Sequence, residues 1–164
     1  MDEALTLRPA RASDIAGIGS LVNGYAAERL MLPRSAESIA LALDDFVVVV
    51  DDHDRVVACG ALKTYSPSLA EVASLAVSRE MRNSGLGSVV VAEVERLARV
   101  RGIVELFALT LASPFFESLG YEITDRARYP EKIRRDCASC PRRFACREVC
   151  VWRALSAMSL SIAA

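Results

Sequence analysis

Residues 70–88 constrain this chain more than any other stretch. An apolar, β-branched run, AEVASLAV (70–77), is followed by the polar stretch REMRNSGLGS and then by VVVAEVERLARVRG, which has helical spacing and closes at Gly102. A strand thus hands over to a helix through Arg82-Asn83-Ser84-Gly85-Leu86-Gly87. The first turn of a helix presents N–H groups without intrahelical partners at the positive end of its dipole. A diphosphate binds well there. Gly85 and Gly87 let the backbone come close to phosphate oxygens, Ser84 and Ser88 add hydroxyl donors, and Arg82 adds a positive charge. No Gly-Lys-Ser/Thr follows, so this is not a Walker loop, and the third glycine of a dinucleotide fingerprint is missing. The plain alternative is a loop that needs glycine before a helix. The flanking strand and helix, with Arg82 three residues ahead of Gly85, favour the phosphate cradle.

The rest of the chain reads as alternating elements. LTLRP (5–9) is a strand. Ser13 and Asp14 open a helix over IAGIGSLVNGYAAERL, MLPRS breaks it, and Ser35 caps a second helix, AESIALAL. FVVVV (46–50) is a buried strand, DDHDR a turn with a solvated His53, and VVACGALKTY the hairpin partner with Cys59 in the core. IVELFALTL, SPFFESLG and YEIT give strand, short helix and strand. The expected order is β-α-α-β-β-β-α-β-α-β. This is a single α/β domain with a mixed, mostly antiparallel sheet flanked by helices, and with residues 130–153 as a Cys-rich appendage.

At 164 residues with 52 % hydrophobic side chains, the chain can bury a core without disulfides. A net charge of −1 argues against a nucleic-acid binder, although the arginines between Arg126 and Arg153 form either a solvated face or an attraction for an anionic ligand. The amino terminus, MDEALTLRPA, is acidic and lacks a signal-peptide core, and no apolar stretch is long enough to span a bilayer. The expectation is a cytoplasmic protein with no membrane partner.

The loop resembles the pyrophosphate loop of the GNAT superfamily of N-acetyltransferases, Arg/Gln-x-x-Gly-x-Gly/Ala, which binds coenzyme A. RPARASDIAGIGSLV resembles that superfamily's opening strand and helix, and SPFFESLGYE its late helix and turn. Together these cover about residues 5–125. MLPRS, FVVV, CGAL, LAEVASLAV, FALT and FFESLGY are more narrowly similar to short ArgA-like amino-acid acetyltransferases related to N-acetylglutamate synthase, and DCASCPRRFAC to a tail of some of its members.

The resemblance implies an enzyme that uses acetyl-CoA and a small amino-acid acceptor, a homodimer being compatible with it, and a place in arginine biosynthesis if the acceptor is glutamate. It implies that Leu75, Ala76 and Val77 bond the pantetheine arm. Arg82, Asn83, Ser84, Gly85, Leu86, Gly87 and Ser88 would hold the pyrophosphate. Glu71 is the implied general base, since an amine must lose a proton before attacking a thioester; the alternative is a surface or ion-paired strand residue. The family's Tyr general acid falls on Phe116, leaving Tyr65, Tyr121 and Tyr129 as substitutes. Arg34 is the implied partner of a substrate carboxylate, the alternative being an exposed side chain. Thr110-Leu111-Ala112-Ser113 lacks the Arg that full-length glutamate enzymes carry there, which weakens glutamate as acceptor.

Cys137, Cys140, Cys146 and Cys150 fall within fourteen residues. A structural zinc site, an iron–sulfur cluster, reduced thiols and a disulfide are all open readings. Two rival functions stand beside amino-acid acetylation: acetylation of proteins or peptides, and a non-catalytic acyl-CoA-binding module that senses redox state or metal through the cysteines.

Overall fold

The computed structural model describes residues 4–156. Among them the strands are β1 (Thr6–Pro9), β2 (Phe46–Val50), β3 (Val56–Thr64), β4 (Leu69–Val77), β5 (Glu105–Thr110), β6 (Glu122–Thr124) and β7 (Val149–Ala154). The helices are α1 (Ile15–Ala27), α2 (Ala36–Leu41), α3 (Leu86–Val100), α4 (Ser113–Ser118) and the single turn α5 (Pro130–Lys132), which runs into a π turn, Ile133–Cys137. The strands pair in the order β1-β2-β3-β4-β5-β7-β6, as the expected mixed, mostly antiparallel sheet. None of the described helices is long and apolar enough to cross a membrane.

The chain divides into two compact units, and β4 contributes to both. The first comprises the chain up to Lys63 together with Val72–Leu97. Phe46–Val50 is buried at every position, as its unbroken apolar run requires, and pairs antiparallel with β1 and β3. Ile18, Val22 and Ile39 from the helices pack on Phe46, Val48, Cys59 and Ala76 from the strands. Ser35 caps α2 by accepting the Ser38 N–H at 3.1 Å. A Cβ at Gly60 would lie 2.6 Å from Val90 Cγ1, so glycine there lets α3 seat on β3.

The second unit comprises Thr64–Glu71 and the chain from Ala98 onward. The start of β4 runs parallel to β5, with Leu69 opposite Glu105 and Glu71 opposite Phe107. Leu69, Phe107, Tyr129 and Cys150 form its core, with the Tyr129 ring stacked on Phe107 at 4.1 Å.

Residues 130–153 are not an appendage. Val149–Ala154 is a full strand inserted between β5 and β6, pairing Leu109 with Cys150 and Ile123 with Val151. The sequence hides it because its six residues follow an Arg- and Cys-rich stretch and because Cys150 counts there as a ligand. In the fold Cys150 is only 4 % exposed, and burial pushes its thiol up to about 11, so it stays a protonated packing group. Cys150→Ser is expected to destabilise the protein by about 1–3 kcal/mol in urea unfolding, because a hydroxyl replaces a buried thiol. Cys140→Ser, at a partly exposed turn, should stay within about 0.5 kcal/mol of wild type.

Candidate active site

In the first unit the polar loop takes the form its glycines allow. After a 3-10 turn at Arg79–Met81, Asn83 and Gly85 adopt positive φ, 60° and 84°. Gly85 C=O then accepts the Val89 N–H at 3.2 Å, so the N–H groups of Leu86, Gly87 and Ser88 precede the first helical bond of α3. A Cβ built on Gly85 meets no atom within 4 Å: the loop faces open space here, and the positive φ is what demands glycine. These features suit a bound diphosphate. The Ser84 hydroxyl donates back to the Met81 carbonyl and so braces the loop.

Tyr25, on α1, is a member of this site that the sequence reading missed. Its hydroxyl donates to the Val77 carbonyl at the end of β4 and accepts from Arg82 Nε at 3.3 Å. The Arg82 and Arg79 guanidinium groups lie over its ring at 5.4 and 5.3 Å, and Arg79 is ion-paired to Glu28. Among Leu75, Ala76 and Val77, the Val77 carbonyl is therefore already engaged. Tyr25 sits in an ordinary helical apolar pattern, so nothing in the sequence marks it.

Ser74 was missed as well. Its φ of 51° is unusual for a residue with a side chain and breaks the regular course of β4. The Cys59 thiol donates to its carbonyl at 3.4 Å, and Arg34 Nη1 reaches its hydroxyl at 3.4 Å. Arg34 is half-buried and held on all sides. Asn23 bonds both its backbone N–H and its carbonyl at 2.8 Å, Nη2 donates to Ser38 C=O at 3.3 Å, and Phe46 lies under the guanidinium at 5.2 Å. Asp45 acts on it through space. Burial draws its pKa down, against the through-space pull of Asp45 and Cys59, yet an arginine keeps its charge. A half-buried guanidinium held in this way is suited to an incoming carboxylate.

Glu71 lies in the second unit and is neither exposed nor idle. Its side chain is 7 % exposed, and Lys132 Nζ, 12 % exposed, sits 2.9 Å from Oε2. The same ammonium is 2.9 Å from Asp136 Oδ2. The Tyr65 hydroxyl donates to Asp136 at 2.7 Å and lies 3.4 Å from Glu71 Oε2. Arg135 covers the Tyr65 ring at 4.5 Å and donates to the Thr64 carbonyl. Burial pushes the Lys132 pKa down, but Glu71 and Asp136 outweigh it, so the net shift is upward and the side chain is an ammonium at neutral pH. Burial, then Glu71 and Asp136, raise the Tyr65 pKa strongly, so it stays a phenol. Burial also raises Glu148, partly offset by Lys132.

Of the candidate acids, only Tyr65 brings a hydroxyl to Glu71. Phe116 is buried, edge-on to Phe115 at 5.2 Å and to Tyr121 at 5.1 Å, and carries no proton to give. The four cysteines do not converge on a metal site. Cys150 is held in β7, Cys146 Sγ faces the Arg126 guanidinium at 3.4 Å, and Cys140 Sγ faces the Arg142 N–H at 3.4 Å. Among the described residues no three of these sulfurs form one ligand set, so a zinc ion does not fit them. Asp51, Asp52 and His53 do group together, but in a hairpin turn where Asp51 is taken up by Arg55 and by the His53 N–H, and His53 is 81 % exposed.

Residues 43–123 match the acetyltransferase (GNAT) domain model, a span that contains Glu71, Ser74 and the whole Arg82–Ser88 loop. A Chlorobaculum tepidum protein named as an N-acetyltransferase is 41 % identical over 91 % of this chain and 96 % of its own length. An amino-acid acetyltransferase of Pasteurella multocida is 28 % identical over 82 % of this chain. The crystal structure of N-acetylglutamate synthase from Neisseria gonorrhoeae, complexed with coenzyme A and N-acetyl-glutamate, superposes with a TM-score of 0.83 at 26 % identity over 95 % of this chain. This chain spans about a third of each of the last two proteins, 31 % and 36 %. With the matched domain, the near full-length relative and the strand–loop–helix cradle in agreement, the chain belongs to the GNAT family of acetyltransferases.

Proposed function

We propose that this protein transfers the acetyl group of acetyl-CoA to the α-amino group of a small amino acid, with glutamate as the first acceptor to test. The observation that carries the reading is Arg34: a half-buried guanidinium held by the Ser74 hydroxyl, the Ser38 carbonyl and the Phe46 ring, of the kind that takes a carboxylate. The similarity to amino-acid acetyltransferases supports the same acceptor class.

Acetyl-CoA supplies the acyl group as a thioester. Leu75–Val77 would hold its pantetheine arm, and Arg82–Ser88 its pyrophosphate. Arg34, with the Ser74 hydroxyl, would take the acceptor's carboxylate. Glu71 would accept the first proton of the acceptor's ammonium, so that the neutral nitrogen forms the N–C bond while the C–S bond breaks; the second N–H proton is then released to solvent, and the departing thiolate takes a proton from solvent. A cytoplasmic location belongs to this proposal whatever the acceptor, and a place in arginine biosynthesis only with glutamate as acceptor.

The test is acetyl-CoA turnover against the common amino acids, their α-amides, polyamines and short peptides, for wild type and Arg34→Met. Losing one partner of a buried charge pair costs about 2–5 kcal/mol, so kcat/KM for free amino acids should fall roughly 30- to 5,000-fold, mostly through KM. The α-amides should be poor acceptors for both proteins. Unchanged KM in the variant, or a preference for peptides, would overturn the assignment.

A further inference from the structure

Lys132 and Asp136 lie outside the matched domain, four residues apart on α5 and the π turn that continues it. Both side chains reach Glu71 or its ammonium partner at the start of β4, and π turns concentrate at functional sites. We propose that Lys132, steadied by Asp136, is the positioning residue of Glu71: it holds the carboxylate ionised and aimed, and its charge favours the neutral form of an amine brought beside it. The inference rests on the reading of Glu71 as general base.

The geometry is specific. Lys132 Nζ sits between Glu71 Oε2 and Asp136 Oδ2, 2.9 Å from each, and all three side chains are largely shielded from water. A carboxylate buried in that way without a cation would be driven to its neutral form and would lose its capacity as a base. The ammonium prevents this. Asp136, whose second tie is the Tyr65 hydroxyl at 2.7 Å, keeps Lys132 from swinging away. The other groups acting on Glu71 come from several elements: Tyr65 before β4, Cys137 on the π turn, Glu148 ahead of β7 and Cys150 within it. Both thiols and the Tyr65 phenol are pushed towards their neutral forms, and Glu148 is a like charge that Lys132 offsets. Lys132 also meets an incoming ammonium as a like charge, which lowers that group's affinity for its proton. Lys132 thus lowers the proton affinity of both groups: it keeps Glu71 ionised while lowering its basicity, and it frees more of the amine from its proton.

The measurement is the titration of Glu71 itself, followed by carbon-13 NMR of glutamate-labelled full-length protein, with the resonance assigned by its loss in Glu71→Gln. An opposite charge at this distance moves a carboxylate by about 1–3 pH units. Lys132→Met should raise the Glu71 midpoint by at least one pH unit, and Lys132→Arg should keep it near wild type. Lys132→Gln, which removes the charge and keeps a hydrogen-bond donor, should raise it likewise; this second variant decides the matter if Lys132→Met does not fold. The acid limb of kcat/KM, measured with the best acceptor of the panel, should move with the midpoint. An unmoved midpoint in Lys132→Met or in Lys132→Gln would overturn the proposal. An acid limb that survives unchanged in Glu71→Gln would instead overturn the base assignment, and with it the catalytic sense of the positioning, whatever the NMR midpoints show.

Discussion

Glu71→Gln is expected to lower kcat by about a hundredfold or more, the usual worth of a positioned general base. Glutamine keeps the shape and an acceptor oxygen but cannot take a proton. The rate should therefore lose its dependence on the ionisation of residue 71 and follow the population of neutral acceptor amine, rising with pH where wild type has levelled off. Acetyl-CoA affinity should hold within about twofold, because residue 71 makes no call on phosphate or pantetheine. The substitution leaves Lys132 with Asp136 as its anion at 2.9 Å, so the fold keeps a satisfied ammonium. Steady-state kinetics across pH, paired with calorimetric titration of acetyl-CoA, separate the two effects. Wild-type rates at every pH would remove Glu71 from the chemistry.

The double variant Gly85→Val, Gly87→Val is expected to abolish acetyl-CoA binding, with at least a hundredfold loss of affinity. At Gly85 the two causes can be distinguished. Space is not the constraint in the free protein, since a Cβ there meets no atom within 4 Å. The positive φ of 84° is one constraint, costing a residue with a side chain roughly 1–2 kcal/mol. The second arises only on binding, when the added methyl groups occupy the open side of the loop where the phosphates approach. Gly85→Ala should therefore show a smaller loss of the same kind, with a melting temperature only a few degrees below wild type. Unchanged affinity in the double variant would move the cofactor away from this loop.

Much of this fold was legible because its signals are local. Phe46–Val50 has a composition that only a buried strand tolerates, Ser35 stands where a cap belongs, and the glycines of the phosphate loop report a backbone conformation directly. Strand β7 was not legible. Its pairing partners, Leu109 and Ile123, are distant in sequence, and its own six residues are too few for a period to declare itself. The candidate site divides in the same way. The loop and Arg34 could be picked out by resemblance to a motif. Lys132 and Asp136 could not, since their significance arises only when the chain folds back across more than sixty residues to reach Glu71 and Tyr65. Tyr25 and Ser74 fall between these cases: both lie in elements that were read correctly, but a side chain's partner and a single bent torsion leave no trace in residue type.

The setting of Cys59 has a practical consequence for handling the protein. Its sulfur is fully enclosed and donates to the Ser74 carbonyl, and burial pushes the thiol up to about 12, so almost no thiolate exists at neutral pH. Thiolate is the species that alkylating reagents and peroxides attack. Cys150 is sheltered in the same manner. The native protein thus offers such reagents chiefly the partly exposed Cys140 and Cys146, since burial pushes the Cys137 thiol up as well, and these two can carry a dye or a spin label while Cys59 stays silent.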